Sequence, residues 1–238
     1  MEIARSLIEE LETFSTPSIL NGLKRLGLPV EKLETMDRMA IGCQAPGLGA
    51  RCGLAVTRKI ATRRSGPAGG SLQAGPDQGL LAQPGPRFLV VQNIGDWRGP
   101  VSCWGELTAH INVALDCRAG VTNGPVRDVP EMERVGFATW SSGIGPGGGH
   151  VDLLAINEPV AVAGVVVNSG DLMHGDAHGI VKIPAELANE LPDAIRAAGP
   201  VIRSGHLRRI SQRQRPERDS KCSSPIPMAG EPRHGCTR

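Results

Sequence analysis

Glycine and proline together supply 50 of the 238 residues, 31 and 19 respectively. A chain punctuated this often cannot sustain a bundle of long helices; it favours short strands joined by many turns. Helices are confined to where the breakers thin out. Ile3, Leu7, Ile8 and Leu11 recur at helical spacing, and a second helix follows with Thr16 as its N-cap, Pro17 at its first position and Gly27 just past its end. Residues 63–87 hold the densest run of glycine and proline and read as a loop with one short helix around Leu80. Order then restarts as an α/β alternation. Phe88 to Val91 is a buried strand, 105–116 a helix, Cys117 to Thr122 a strand, Asn123-Gly124 a turn, Val129 to Val135 a helix and Phe137 to Trp140 a strand. Pro159 to Val167 and Gly179 to Pro184 read as strands flanking a turn-rich Ser169-Gly170-Asp171 and Gly175-Asp176 segment, and Ala185 to Ala197 as a closing helix. The reading is one domain over 1–202 and a tail over 203–238.

Charge and composition exclude several functions. Lys+Arg 26 against Asp+Glu 24 leaves +2, too little for a global field that would draw the chain onto nucleic acid or a membrane. Aromatic residues are 3% with no tyrosine, which removes the stacking platforms used on single strands. The first residues lack the apolar core of a signal peptide, and no apolar run approaches the ~18 residues of a membrane span. Six cysteines occur without a CxxC pair, as expected of reduced thiols in a cytoplasmic protein. The tail carries nine basic against three acidic residues. With so few apolar side chains it reads as a solvated, disordered segment, with binding of RNA or an acidic partner the less favoured alternative.

The stretches that could carry chemistry are Trp104-Gly105-Glu106-Leu107 and Val121 to Glu131. Gly105 opens a helix whose first N–H groups lack intrahelical partners, a ready seat for a carboxylate or phosphate. Arg127 is a planar, permanently charged fork, and Asp128 is a hard oxygen donor of the kind Mg²⁺ accepts. The plain alternative is structural, because Asp128-x-x-Glu131 is also a capping box with Pro130 in the first turn.

These segments, with Phe14 to Leu23 and Ser169 to Gly179 running on to Ile183-Pro184, resemble the RraA-like proteins. That family includes the 4-hydroxy-4-methyl-2-oxoglutarate/4-carboxy-4-hydroxy-2-oxoadipate aldolases and the regulators of ribonuclease E. The most specific element is an acidic residue followed after twenty residues by Arg-Asp, here Glu106 to Arg127-Asp128. The resemblance implies a compact three-layer β/β/α domain of the swivelling type, assembled as a homotrimer or hexamer with its site at a subunit boundary. It implies that the amides of Gly105, Glu106, Leu107 and Thr108 hold a pyruvate carboxylate, that Arg127 contacts the keto oxygen, that Asp128 anchors a divalent metal, Mg²⁺ or Mn²⁺, and that Glu106 shuttles a proton. The corresponding chemistry is retro-aldol cleavage of 4-hydroxy-2-oxo diacids or decarboxylation of oxaloacetate through an enolate of pyruvate. The non-catalytic alternative is a regulator that binds a ribonuclease.

The chain also departs from that pattern. Aldolase members supply a glutamate from a neighbouring subunit's last helix, where this sequence reads Ala197-Ala198-Gly199-Pro200. His174-Gly175-Asp176-Ala177-His178 could bind a metal but reads as a hydrogen-bonded corner. Gly143 to His150 lacks the Lys-Ser/Thr of a phosphate loop and reads as a mobile connection, with His150 a minor candidate for the pocket edge. No cysteine has a histidine arrangement suited to nucleophilic catalysis.

Overall fold

The computed structural model describes residues 3–65, 79–95, 99 and 101–197, all within the compact unit Met1–Gly199. The tail beyond 203 lies outside the described residues. In chain order the elements are α1 (Arg5–Leu11), α2 (Thr16–Arg25), β1 (Glu34–Thr35), β2 (Gly42–Cys43), β3 (Arg51–Arg63), β4 (Arg87–Asn93), α3 (Glu106–Ala114), β5 (Cys117–Thr122), α4 (Val129–Arg134), β6 (Ala138–Ser141), β7 (His150–Ile156), β8 (Val160–Val162), β9 (Val165–Val167), β10 (Leu172–Asp176), β11 (Gly179–Ile183) and α5 (Leu191–Ala197).

The 13-residue β3 organises the sheet, whose order is β1-β11-β10-β3-β4-β5-β6-β2 with β7 also paired to β3. One edge of β3 takes β10 along residues 51–54 and β7 along 58–63, both antiparallel. Its other edge takes β4, the first of three successive parallel pairings, β3–β4, β4–β5 and β5–β6. Alternation along β3 and β4 sends neighbouring residues to opposite faces. Ala55, Phe88 and Val90 pack with Ala119, Val121 and Trp140 against four valines of the β8–β9 hairpin. Val56, Leu89 and Val91 face the other way, beneath Ala109 of α3 and Met132 of α4. Further along that face Cys52, Leu54, Leu172 and Val181 lie under α1, α2 and α5. Hairpin, sheet and helices make the expected β/β/α layers.

Several sequence readings are corrected. The N-cap of α2 is Ser15, whose hydroxyl accepts from Ser18 N at 3.3 Å; Thr16 lies inside the helix and turns its own hydroxyl toward His174 Nδ1, 3.1 Å away. The segment read as turn-rich contains β10, a strand buried along its whole length. Its polar letters mislead because each is satisfied internally: Asp176 accepts from Thr16 N at 2.9 Å, and His174 Nε2 donates toward the carbonyls of Leu11 and Phe14. The hydrogen-bonded corner holds for Asp176 and His178, while His174 belongs to the strand. The closing helix is shorter than read, since 185–190 form turns before α5 begins at Leu191. Residues 51–63, 150–156 and the two short strands β1 and β2 went unrecognised as strands.

Candidate active site

Two loops leave the carboxyl ends of neighbouring parallel strands and are zipped together by backbone hydrogen bonds. Cys103 N donates to Pro125 O at 2.8 Å and Arg127 N donates to Trp104 O at 3.1 Å. This pairing brings Arg127-Asp128 against the start of α3. Gly105 caps that helix in an extended conformation, and the first intrahelical bond runs from Ala109 N to Gly105 O at 3.1 Å. The N–H groups of Leu107 and Thr108 precede that bond and point out of the helix start.

Asp128 sits at φ 55°, a left-handed conformation that non-glycine residues adopt at a cost and that clusters at functional sites. The capping-box alternative fails on its side chains. Asp128 makes no side-chain cap to α4, and Glu131 accepts from Arg134 at 2.8 Å instead of reaching back. The Asp128 carboxylate turns to the other helix: Oδ2 accepts from Glu106 N at 3.2 Å and lies 3.2 Å from Arg127 Nε. A Cβ on Gly105 would collide with Asp128 Oδ2 and come within 2.8 Å of Arg127 Cγ. One on Gly147 would come within 2.8 Å of Arg127 Cδ and Nη1. The arginine is thus laid between two glycine backbones.

Behind this cluster opens a cleft of about 410 Å³. Gly105, Leu107, Thr108 and Arg127 line it, together with Ser102, Cys103, Trp104 and the glycines 147–149; an aliphatic wall of Ile60, Leu89, Val91, Val101, Val151 and Leu153 completes it. Asp128 and Glu106 stand at its edge, Asp128 against Arg127 and Glu106 paired with His110 at 3.7 Å on the exposed surface of α3. His150 is exposed at the start of β7 and is not among the lining residues; its neighbour Val151 is. Among the described residues no group of three or more His, Cys, Asp or Glu gathers as a ready-made metal cage.

Sequence reasoning missed three contributions. Arg58, only 8% exposed, enters the aliphatic wall from the middle of β3; its signal was a cation inside the run Val56-Thr57-Arg58-Lys59-Ile60. Asn93 ends β4 in a buried network: its amide donates to Thr62 Oγ1 at 2.7 Å, its backbone N–H donates to Asn123 Oδ1 at 2.7 Å, and Asn123 Nδ2 donates back to Asn93 O at 2.9 Å. This network fixes the turn from which Arg127 departs. Cys103 lies in the same wall, but burial pushes its thiol up, more than the hydrogen bonds from Thr122 and Asn93 bring it down, so it stays protonated. The other three described cysteines are also free and pushed up by burial.

The sequence model of the RraA-like family, described as Aldolase/RraA, matches residues 24–182, and the chain belongs to that family. An uncharacterized protein of Methanocaldococcus jannaschii is 32% identical over 114 residues, covering 47% of this chain and 53% of that protein. The chain therefore matches about half the length of that relative. Among solved structures, an uncharacterized protein from Pseudomonas syringae pv. tomato superposes with a TM-score of 0.64 at 24% identity, covering 83% of this chain and 85% of the other. Streptomyces coelicolor RraAS2, titled an unusual member of the RNase ES inhibitor RraA protein family, superposes with a TM-score of 0.59 at 22% identity, covering 90% and 99%. At these identities the two structures establish the shared fold. The family includes both aldolases and ribonuclease inhibitors.

Proposed function

We propose that this chain is a divalent-metal-dependent lyase acting on pyruvate-type 2-oxo acids, by retro-aldol cleavage of 4-hydroxy-2-oxo diacids such as 4-hydroxy-4-methyl-2-oxoglutarate and by decarboxylation of oxaloacetate. The observation that carries the reading is the convergence of the α3 N-terminus, the Arg127 fork and the Asp128 carboxylate around a glycine with no room for a side chain. Those residues fit a hard cation. Mg²⁺ takes one or two carboxylates and fills its remaining positions with water and substrate oxygens, so Asp128 would hold Mg²⁺ or Mn²⁺ without a cage of protein ligands. When bound, the cation supplies Lewis acidity to a chelating 2-oxo acid.

The protein's own groups account for the rest. The Leu107 and Thr108 amides, aided by the helix dipole, receive the carboxylate of the 2-oxo acid. Arg127, half-exposed yet pinned between Gly105 and Gly147, directs its fork at the keto oxygen and stabilises the negative charge that collects there as the C–C bond breaks. Both reactions leave the same enolate of pyruvate, which explains one site serving both. Glu106, exposed beside the cleft, is placed to pass a proton through water to the enolate carbon. We assign the working form to a homotrimer or hexamer in the reducing cytoplasm; Leu107 and Ile144, 75% and 66% exposed, are apolar surface that a neighbouring copy would cover.

The test is pyruvate release from oxaloacetate and from 4-hydroxy-4-methyl-2-oxoglutarate by the full chain with Mg²⁺ or Mn²⁺. Release should stop with a chelator and in Asp128→Asn, whose amide oxygen still accepts from Glu106 N and preserves the fold. Wild-type turnover in Asp128→Asn would remove Asp128 from the metal site. No release by the wild type, together with binding to a ribonuclease, would replace the lyase reading with the regulator.

A further inference from the structure

We infer that residues 146–149, the glycine run between β6 and β7, form a lid that closes over an anion held at Arg127; the choice of a pyruvate-like anion rests on the lyase reading above. Gly147, Gly148 and Gly149 all line the cleft. Gly147 lies against the Arg127 side chain, where an added Cβ would come within 2.8 Å of Cδ and Nη1, and Gly149 lies as closely against Val101 and Arg63 O. The strap therefore touches the group that would hold the ligand. Its flanks are tied down. Ahead of it, Val126 N donates to Gly143 O at 3.0 Å, Gly145 N donates to Val126 O at 2.8 Å and Ser102 Oγ donates to Gly145 O at 3.1 Å. Behind it, His150 begins β7 in register with Arg63 of β3.

Between these anchors the main chain of 146–149 has no hydrogen-bond partner among the described residues. Gly147, Gly148 and Gly149, at φ 79°, 90° and 151°, hold backbone conformations that other residues avoid and that glycine leaves at little cost. Fixed ends with an unbonded, solvent-facing middle mark the low-stability end of a fold, from which active-site lids are drawn. Closure also serves the chemistry. Arg127 is 51% exposed, and an ion pair made in water contributes little. Drawing the strap over the bound anion removes water from around the guanidinium and strengthens the charge interactions beneath it. A ligand shifts such an equilibrium only through contacts that differ between the two states. The free N–H groups of the three glycines supply that difference, because they gain an anionic partner only when one is held at Arg127.

The experiment follows the strap in the full chain with Mg²⁺ and oxalate, which is planar like the enolate of pyruvate and carries oxygens on adjacent carbons. Once calorimetry shows oxalate bound, hydrogen exchange of the wild-type amides at 147–149 should slow at least about tenfold. A second readout reports motion. An added Cβ at Gly148 meets nothing within 4 Å, so Gly148→Cys can carry a nitroxide in a background of Cys43→Ser, Cys222→Ser and Cys236→Ser. Its EPR spectrum should be mobile in the free chain and immobilised with oxalate, while a nitroxide on the exposed Val30→Cys, ahead of the edge strand β1, should not change. Should Gly148→Cys fail to fold, the label moves to the exposed Pro146→Cys. Slowed exchange without immobilisation would make the strap a fixed wall and overturn the lid, as would bound oxalate with neither change. Pyruvate release from oxaloacetate, measured on the same wild-type protein, keeps the two readings apart, since turnover with an unmoving strap overturns the lid alone. Absence of oxalate binding counts against the lyase; inorganic phosphate, which needs only Arg127 and the α3 N-terminus, then takes its place, closure on it supports the lid, and a strap that closes on neither anion is not one.

Discussion

Gly105→Ala tests the site without removing any functional group. The backbone there is extended, φ −155° and ψ −151°, which alanine tolerates, so the substitution acts through space and not through strain. Its Cβ would overlap Asp128 Oδ2 and crowd Arg127 at Cγ, 2.8 Å, and Nε, 3.1 Å. The Asp128 and Arg127 side chains are 36% and 51% exposed, so both can swing outward and the fold need not adjust. The expected stability loss is therefore that of alanine at an N-cap, about 1 kcal/mol or less. The displacement needed to reach ordinary contact is about 1 Å, and a shift of that size in positioned groups can cost on the order of 100-fold in rate. The assay pairs urea unfolding with metal-dependent pyruvate release from oxaloacetate. A fall in kcat of that size with nearly unchanged stability is expected. Full turnover by a folded Gly105→Ala would mean that Arg127 and Asp128 do not work together at this spot.

Three further outcomes follow from other parts of the structure. Arg127→Lys keeps the charge but loses the fork, so kcat should fall about 100-fold or more with no change in melting temperature, as read by steady-state kinetics and thermal unfolding. His174 is held neutral by burial, its value lowered to about 4 against 6.5 when exposed, despite the opposing pull of Asp176; above about pH 6.5 this group costs nothing, and stability on the order of 3 kcal/mol is lost as pH falls toward 4, where the unfolded chain takes up a proton that the folded one refuses. Urea unfolding between pH 7 and 4 should show that loss in wild type and a smaller one in His174→Asn. Gly53→Ala would put a Cβ 2.8 Å from Arg87 C and 3.0 Å from Pro86 O, all main chain, and should destabilise by about 1–3 kcal/mol in the same unfolding measurement.

The elements legible in the sequence were those whose periodicity stood unmixed with polar demands. Cys117 to Thr122 read correctly as a strand, and the helices after Gly105 and Asp128 began where their glycine and proline signals placed them. The elements that escaped are those whose polar residues are satisfied from afar. His174, Gly175 and Asp176 look like a turn until Thr16, Leu11, Phe14 and Trp140 close around them from distant positions in the chain. The same holds for β3, whose Arg51, Arg58, Lys59 and Arg63 mask a strand paired on both edges. Arg63, for instance, is answered by Asp152 of β7 at 2.6 Å, 89 residues away.

That division also explains why half of the candidate site was visible before the fold was known. Gly105, Glu106, Arg127 and Asp128 come from two consecutive strand-to-helix connections at the carboxyl ends of β4 and β5, adjacent parallel strands. In open α/β sheets ligands gather at those ends, and consecutive units bring their loops side by side, so a motif local in sequence stays local in space. Arg58 obeys no such rule. It enters the cleft from the middle of a strand, and only the pairing of β3 with β4 and β7 determines which wall it joins. The Arg127 side of the cleft is therefore written in contiguous letters, and the wall that Arg58 joins is written in the sheet topology.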